Sequence, residues 1–283
     1  MSRGWRARRR RREVIRTVLL GTTLVVVLVP LLWTALAAVG IEPNNNTSPP
    51  SWVGGPSLDH LADVSVVEPA FWQELATSVG VSAAAALLAT AVSFLAAYGI
   101  ARSMRPALRR LSPALLVLGS LPVMAYVLPL SDLERRVGLL DSLPGLTLAA
   151  AAATAPLAVY VLSAHLVGIS RETEEAARLE GAGLSTLLGS VVLPAAAPIV
   201  AATAIVLFVL DWNMLLIPLV LTGINVRTLP VILTDFFTLE REVDWPTAAA
   251  ALTISLVPLL ILVAGLHGLL ERFSLGGEST EPG

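Results

Sequence analysis

Six charge-free apolar runs, each about as long as a bilayer is thick, decide what this chain can fold into. They are Val18 to Gly40, Val79 to Ile100, Leu111 to Leu130, Leu143 to Ala164, Val191 to Leu210 and Ala248 to Leu266. A hydrocarbon core of about 30 Å is crossed by about 20 helical residues rising about 1.5 Å each. Lipid cannot hydrogen-bond exposed peptide groups, so continuous apolar runs cross it only as helices; barrel strands would alternate in polarity. The expected fold class is therefore an all-α membrane protein with six transmembrane helices. Composition agrees, with 14% of the 283 residues charged where soluble domains carry about a quarter.

Orientation is read from the arginines, because basic segments are retained in the cytoplasm. All 19 basic residues are arginine, and eight of them fall in the first 16 residues. Fifteen lie before the first run, around Arg102 to Arg110, around Arg171 and Arg178, and at Arg272; four, Arg135, Arg136, Arg227 and Arg241, lie in the opposite segments. A multi-pass protein of a bacterial cytoplasmic (inner) membrane with both termini cytoplasmic is expected. The division is a basic cytoplasmic arm (1–16), a first transmembrane helix (17–40), an external loop (41–74), a core of five helices (75–270) with a cytoplasmic loop at 168–193, and a cytoplasmic tail (271–283). The external loop carries Glu42, Asp59, Asp63, Glu68 and Glu74 among Pro, Asn, Ser and Gly, and reads as irregular.

Ala35-Leu36-Ala37 after the first run resembles a signal-peptide cleavage site. That run exceeds the about 7–15 apolar residues of a signal core and five more follow, so it reads as an anchor. The cluster Arg8 to Arg12 beside it reads as a topology signal and a contact to anionic membrane lipid, not to nucleic acid. Prolines at 113, 122, 129, 156, 194, 198, 218 and 258 fall in or near the spans, where each removes a backbone donor and can bend its helix. Alanine stretches at 83–86, 149–153 and 248–251 permit close helix approach and a compact bundle.

Several chemistries are excluded. A nucleotide-binding P-loop needs a lysine to reach the terminal phosphates, and the chain has none. Without cysteine there is no disulfide, thiolate nucleophile or cysteine zinc site. His60, His165 and His267 are too far apart in sequence to suggest a metal cluster, and no nucleophile and base pair falls inside the spans. No catalytic residue, metal or cofactor is expected on this chain.

The loop between the fourth and fifth runs carries the functional signal. Ser170 caps a helix whose first turns hold Glu172, Glu174 and Glu175 at the positive end, and Gly181 and Gly183 then break it. Leu184, Leu187, Leu188, Val191 and Val192 recur at helical spacing and lead into the fifth run. A helix-turn-helix with acids and small alanines is shaped to enter another protein; the bland alternative is an amphipathic connector on the membrane surface.

These residues resemble a known signature. Glu175-Ala176-Ala177, Gly181 after three residues, and Val191-x-Leu193-Pro194 after nine more are similar to the E-A-A, G, I-x-L-P loop of permease subunits of binding-protein-dependent ATP-binding-cassette (ABC) importers, with Val for Ile the departure. The resemblance covers most of the chain and is nearest to the carbohydrate-uptake branch, in particular the smaller permease of maltose-type importers. Ser78-Val79 through Arg102, Gly138-Leu139-Leu140-Asp141-Ser142, Trp212-Asn213 followed by Pro218, and Arg227-Thr228-Leu229-Pro230 carry that part; the end from Leu270 to Gly283 departs from it.

The resemblance implies a type I importer permease fold and alternating access driven by ATP. It implies a second permease subunit, two ABC ATPase subunits that bind ATP and magnesium, an extracytoplasmic substrate-binding protein and a sugar substrate. Glu174, Glu175, Ala176, Ala177 and Gly181 would then be the residues that dock on the ATPase. Asp211, followed by Trp212 and Asn213, is an acid in an otherwise apolar stretch, and the three are candidates for the substrate pathway. The rivals are an importer permease for a non-sugar solute and an ion-coupled secondary transporter, which would carry more intramembrane charge and an internal repeat.

Overall fold

The computed structural model describes residues 3–44, 51–53, 55–67, 69–237 and 245–277. The side chains of the first twelve residues, Glu42, Glu68, Arg241, His267, Arg272 and the tail beyond 277 lie outside the described residues.

Helix α1 runs Arg3–Ala38, so the basic arm and the first apolar run are one helix from Arg3 onward. Strands β1 (Glu42–Asn44) and β2 (Ser51–Val53) pair antiparallel, and α2 spans Asp59–Val67. The 41–74 segment is therefore more ordered than its composition implies. Ser57 starts α2 by accepting the Asp59 N–H at 3.0 Å and donating its hydroxyl to the Asp59 carboxylate at 2.7 Å.

Next come α3 (Phe71–Arg102), α4 (Pro106–Arg109), α5 (Leu111–Gly119), α6 (Val127–Val137), α7 (Leu143–Leu166) and α8 (Arg171–Leu179). A short α9 (Leu184–Thr186) passes through a π-helical turn, Leu187–Val192, into α10 (Leu193–Trp212); α11 (Leu216–Leu221), α12 (Leu229–Leu233) and α13 (Trp245–Gly277) follow. The chain divides into two compact units, 1–70 with 236–256, and 71–235 with 257–283. The second holds the elements that matter for function.

Five helices among the described residues are long and apolar enough to cross a membrane: Glu13–Ala38, Phe71–Arg102, Leu143–Leu166, Leu184–Trp212 and Trp245–Gly265. The third apolar run differs from the expectation of an unbroken span. Pro122 lacks an N–H and drives Leu121 off helical geometry, so α5 stops at Gly119, and a 3₁₀ turn at Val123–Ala125 precedes α6. Ser120 closes α5, its N–H and hydroxyl both bonded to the Leu116 carbonyl at 3.0 and 2.8 Å. The segment still traverses the bundle. Arg102 and Leu166, the last residues of α3 and α7, meet at one end, where the guanidinium donates to the Leu166 carbonyl at 2.8 Å. Leu139 to Asp141 lie at the other end, against Leu221. Two shorter helices, α5 and α6, thus stand where one unbroken span was expected, and α5 packs on α7 so closely that a Cβ at Gly119 would sit 2.6 Å from the Pro156 ring.

α3 and α7 form the centre through small residues. Ser78, Ser82, Ala85, Ala89, Ser93, Ala97 and Ala101 of α3 are buried, as are Leu146, Ala150, Thr154, Ala158, Leu162 and Leu166 at four-residue spacing on α7. Large side chains such as Leu87, Val92 and Leu95 face outward. This suits lipid, where no hydrophobic gain favours burying leucine and small residues allow backbones to approach; the Ser93 hydroxyl reaches the Ala155 carbonyl of α7 at 3.2 Å.

At the end away from Arg102, Asp141 fastens two loops. Its carboxylate accepts the backbone N–H groups of Gly223, Ile224, Asn225 and Val226 at 2.8 to 3.2 Å and the Asn225 amide at 3.0 Å. Partial burial pushes this carboxyl up, but the four N–H donors outweigh it and hold it below the usual aspartate range. Asp141 is left-handed at φ 55, a conformation Asn tolerates and Ala does not. Asp141→Ala is expected to destabilise the chain by about 1–3 kcal/mol, the worth of charged hydrogen bonds, and Asp141→Asn by less. Thermal unfolding of the two variants in detergent checks the order.

Candidate functional site

The loop between α7 and α10 folds as its sequence requires. The Ser170 hydroxyl accepts the Glu172 N–H at 3.2 Å, capping α8, and Glu172 and Glu174 occupy the electropositive first turn. At the other end the Ala182 N–H reaches the Ala177 carbonyl and the Gly181 N–H the Arg178 carbonyl, both at 3.0 Å. Gly181 has φ +89 between them. This paired closure needs a left-handed residue, and glycine supplies it without a Cβ clash. Pro194, which ends the signature, stands just after the π-helical turn at the start of α10, where its missing donor is most easily absorbed.

Glu174 faces inward. It is 4% exposed, and the Arg102 guanidinium holds its Oε1 through both Nε, at 2.8 Å, and Nη2. The Tyr98 hydroxyl donates to Oε2 at 3.0 Å and accepts from Arg178 at 3.3 Å. Arg102 also bonds the Leu166 and Ile169 carbonyls at 2.8 and 3.3 Å, stitching the last turn of α7 to the same knot. Burial pushes the Glu174 carboxyl up, yet the Arg102 and Tyr98 hydrogen bonds, with the charges of Arg102 and Arg178, prevail and hold it below the ordinary glutamate value. Beneath lies a shared apolar core of Phe94, Ala97, Tyr98, Ala101, Leu162, Leu166, Leu187, Val192 and Ala196, with Ala177 and Ile169 packed on it.

Of the residues singled out in the loop, Glu174 therefore fixes α8 to α3 and α7, whereas Glu175, Ala176 and Gly181 are exposed and Ala177 is half-buried. A cleft of about 130 Å³ lined by Arg102, Arg171, Glu174, Glu175 and Arg178 opens beside them. Leu179, 91% exposed, and Leu184, 62% exposed, flank the Gly181 turn as two apolar knobs. The sequence reading passed over Leu179, and over Arg102 and Tyr98 as partners of the loop. The signal available was an arginine ending a span with a tyrosine four residues earlier.

Asp211 and Trp212 are placed together on the wall of a second, smaller cavity with Ser78, Ser82, Thr228 and Pro230. Trp212 is buried and stacks on Phe208, ring centres 5.9 Å apart. Asn213 is not brought in; its amide turns back to the Val209 carbonyl at 2.7 Å. The cavity measures about 10 Å³, room for about one water, so in this state it does not hold a sugar ring. Among the described residues no three His, Cys, Asp or Glu gather as a metal site.

The chain is similar to known transport proteins in sequence and in fold. The family model described as "Binding-protein-dependent transport system inner membrane component" matches residues 89–274. The chain is 35% identical over 197 residues to the trehalose transport system permease protein SugB of Mycobacterium tuberculosis (68% of this chain, 71% of that one). It is 26% identical over 267 residues to the trehalose/maltose transport system permease protein MalG of Thermococcus litoralis (89% and 92%), and 28% identical over 242 residues to the sulfoquinovosyl glycerol transport system permease protein SmoH of Agrobacterium fabrum (83% of each). A chain from the crystal structure of a bacterial ABC transporter that imports the acidic polysaccharide alginate has the same fold, with a TM-score of 0.71 at 18% identity over 95% of this chain and 98% of that one.

Removing either partner of the buried knot strands the other charge, which costs about 3–5 kcal/mol. Glu174→Gln and Arg102→Gln are each expected to lower the thermal midpoint, and the double variant less than their sum, as a double-mutant cycle reads directly. Because the folded Glu174 is held below its ordinary value of 4.5, its contribution is complete above that pH and lost as pH falls further through the folded value. Amide exchange in α8 should therefore rise on acidification below that point, and not in Glu174→Gln.

Proposed function

Because the chain belongs to the family of inner-membrane components of binding-protein-dependent transport systems, we propose that it is the permease subunit of an ATP-driven sugar importer, moved by a separate ATPase through α8 and the Gly181 turn. The observation that carries this reading is the division of labour in α8. Its inner face is fixed to α3 and α7 by Glu174, Arg102 and Tyr98, while Glu175, Ala176, Leu179 and Gly181 are exposed. A push on that outer face has a stiff route into two spans, because the knot and the core beneath it leave α8 little freedom to tilt alone.

ATP and magnesium belong to the partner in this reading, for the lysine-free chain offers no P-loop. The arginine-rich end is cytoplasmic, both termini with it. A second permease completes the pathway, two ATPase subunits drive it, and an external binding protein delivers solute at the Asp141 end. Sugar is the favoured solute because relatives named for trehalose, maltose and sulfoquinovosyl glycerol carry it or its glycosides. A non-sugar solute is the second reading, favoured by a 27% identical relative named for osmoprotective compounds uptake. For Asp211 and Trp212 to meet solute, the small cavity they line would have to widen as the spans separate.

Glu175→Lys places a cation in the docking face, and Gly181→Val forces a β-branched residue into a left-handed position. Both are expected to insert and fold, yet to reduce uptake by the assembled transporter at least tenfold and uncouple it from ATP hydrolysis. Uptake and sugar-stimulated ATPase activity in proteoliposomes, scored against membrane yield, check this. Normal transport by both variants contradicts the docking role, and ATPase stimulation by a non-sugar alone selects the second reading.

A further inference from the structure

The break between α5 and α6 lies near the middle of the bundle, and three contacts fix its depth along α7. The Ser112 hydroxyl pairs with that of Ser163 at 2.7 Å. A Cβ on Gly119 would lie 2.6 Å from Pro156, and the Glu134 carboxylate stands 3.1 Å from where a Cβ on Gly145 would be. α5 and α6 thus run antiparallel to α7, from near its last residues to near its first. At about 1.5 Å per helical residue, Pro156 is about 20 Å from Leu143 and about 15 Å from Leu166. The chain therefore unwinds at the mid-depth of a helix long enough to cross a membrane.

Unwinding there leaves main-chain groups without partners. Among the described residues, no backbone hydrogen bond reaches the carbonyls of Gly119, Ser120 and Leu121 or leaves the N–H groups of Val123 and Met124. Pro122 has no N–H to give, and the Ser120 hydroxyl already donates to the Leu116 carbonyl. Gly119, Ser120, Leu121 and Met124 are all exposed. Lipid can hydrogen-bond none of these groups, and irregular backbone at membrane depth is tolerated only where protein buries it or water reaches it. This chain does not bury it.

Water satisfies carbonyls and N–H groups alike, and so do hydroxyl groups, which both donate and accept. No charged residue falls between Leu111 and Ser131, so the segment offers nothing to a charged solute. The exposed side chains of Leu121 and Met124 offer apolar surface to the C–H face of a ring. We propose that the break, Gly119 to Met124, lines a water-filled pathway and holds an uncharged polyhydroxyl solute by its unpaired main-chain groups as the solute crosses. Resting on the importer reading above, this site selects by main-chain rather than side-chain chemistry.

The chain has no cysteine, so Leu121→Cys and Met124→Cys each give it one thiol at the break. Val92→Cys is the depth-matched control: Val92 is 56% exposed on intact α3, beside Ser93, whose hydroxyl meets the Ala155 carbonyl. The assembled transporter in proteoliposomes is labelled with a charged, membrane-impermeant methanethiosulfonate, without nucleotide and with ATP, with and without trehalose or maltose. The thiol on this chain is scored by mass. Both break positions are expected to react at least about tenfold faster than position 92 in one nucleotide state, and the sugar that is taken up is expected to slow them. Reaction no faster than at position 92 in every state overturns the proposal, because lipid or protein then covers the break. So does fast reaction that a transported sugar leaves unchanged. Should the wild type take up neither sugar, the sugar reading fails instead, and the labelling rates by themselves decide whether the break lines a water-filled pathway. If one cysteine variant fails to assemble, the other decides.

Discussion

A buried ion pair between Arg102 and Glu174 is the contact on which the α8 end of this bundle depends. It joins the last turn of α3 to the first turn of α8, and the same guanidinium holds the end of α7. Such pairs add little net stability, because both charges must be desolvated. What this one supplies is position. With Glu174 satisfied inward, Glu175 and Ala176 are turned outward at a fixed angle, and the left-handed Gly181 ends the helix where the next must begin.

The opposite end is built by a different device with a similar result. Asp141 gathers four successive backbone N–H groups of the 223–226 loop, and Ser78 receives the N–H of Leu229, so the connections after α10 are fastened to the starts of α3 and α7. Between the two ends run helices whose inner faces are serine and alanine and whose outer faces are leucine and valine. Packing of that kind is dense but weakly sequence-specific in lipid. The polar fastenings at either end therefore do much to define which helix lies beside which.

Much of this was legible in the chain because its signals are local. Length and hydrophobicity placed five spans, and the Ser170 cap and the Gly181 break were readable from side-chain chemistry alone. Four things were not. The run from Leu111 to Leu130 has the composition of a span, and only the conformation forced on Leu121 by Pro122 divides it. The 41–74 segment reads as irregular, yet contains a capped helix. Glu174 looks like its neighbour Glu175, and what turns it inward is an arginine 72 positions away, a pairing that no local pattern encodes. The cavity at Asp211 has the same character, since Ser78, Ser82 and Thr228 come together only through the packing of α3 against α10 and the turn that follows.

The account's central claim is that the outer face of α8 receives force from a nucleotide-hydrolysing partner. The chain contains no cysteine, so Ala176→Cys creates a unique thiol on that face. The decisive measurement is attachment of a thiol-directed photo-crosslinker to this position in the assembled transporter, followed by identification of what it captures with and without ATP. The account predicts capture of the ATPase subunit, reached from the cytoplasmic side and altered in yield by ATP. A thiol that reacts only from the external side, or that captures lipid alone in both conditions, would contradict it.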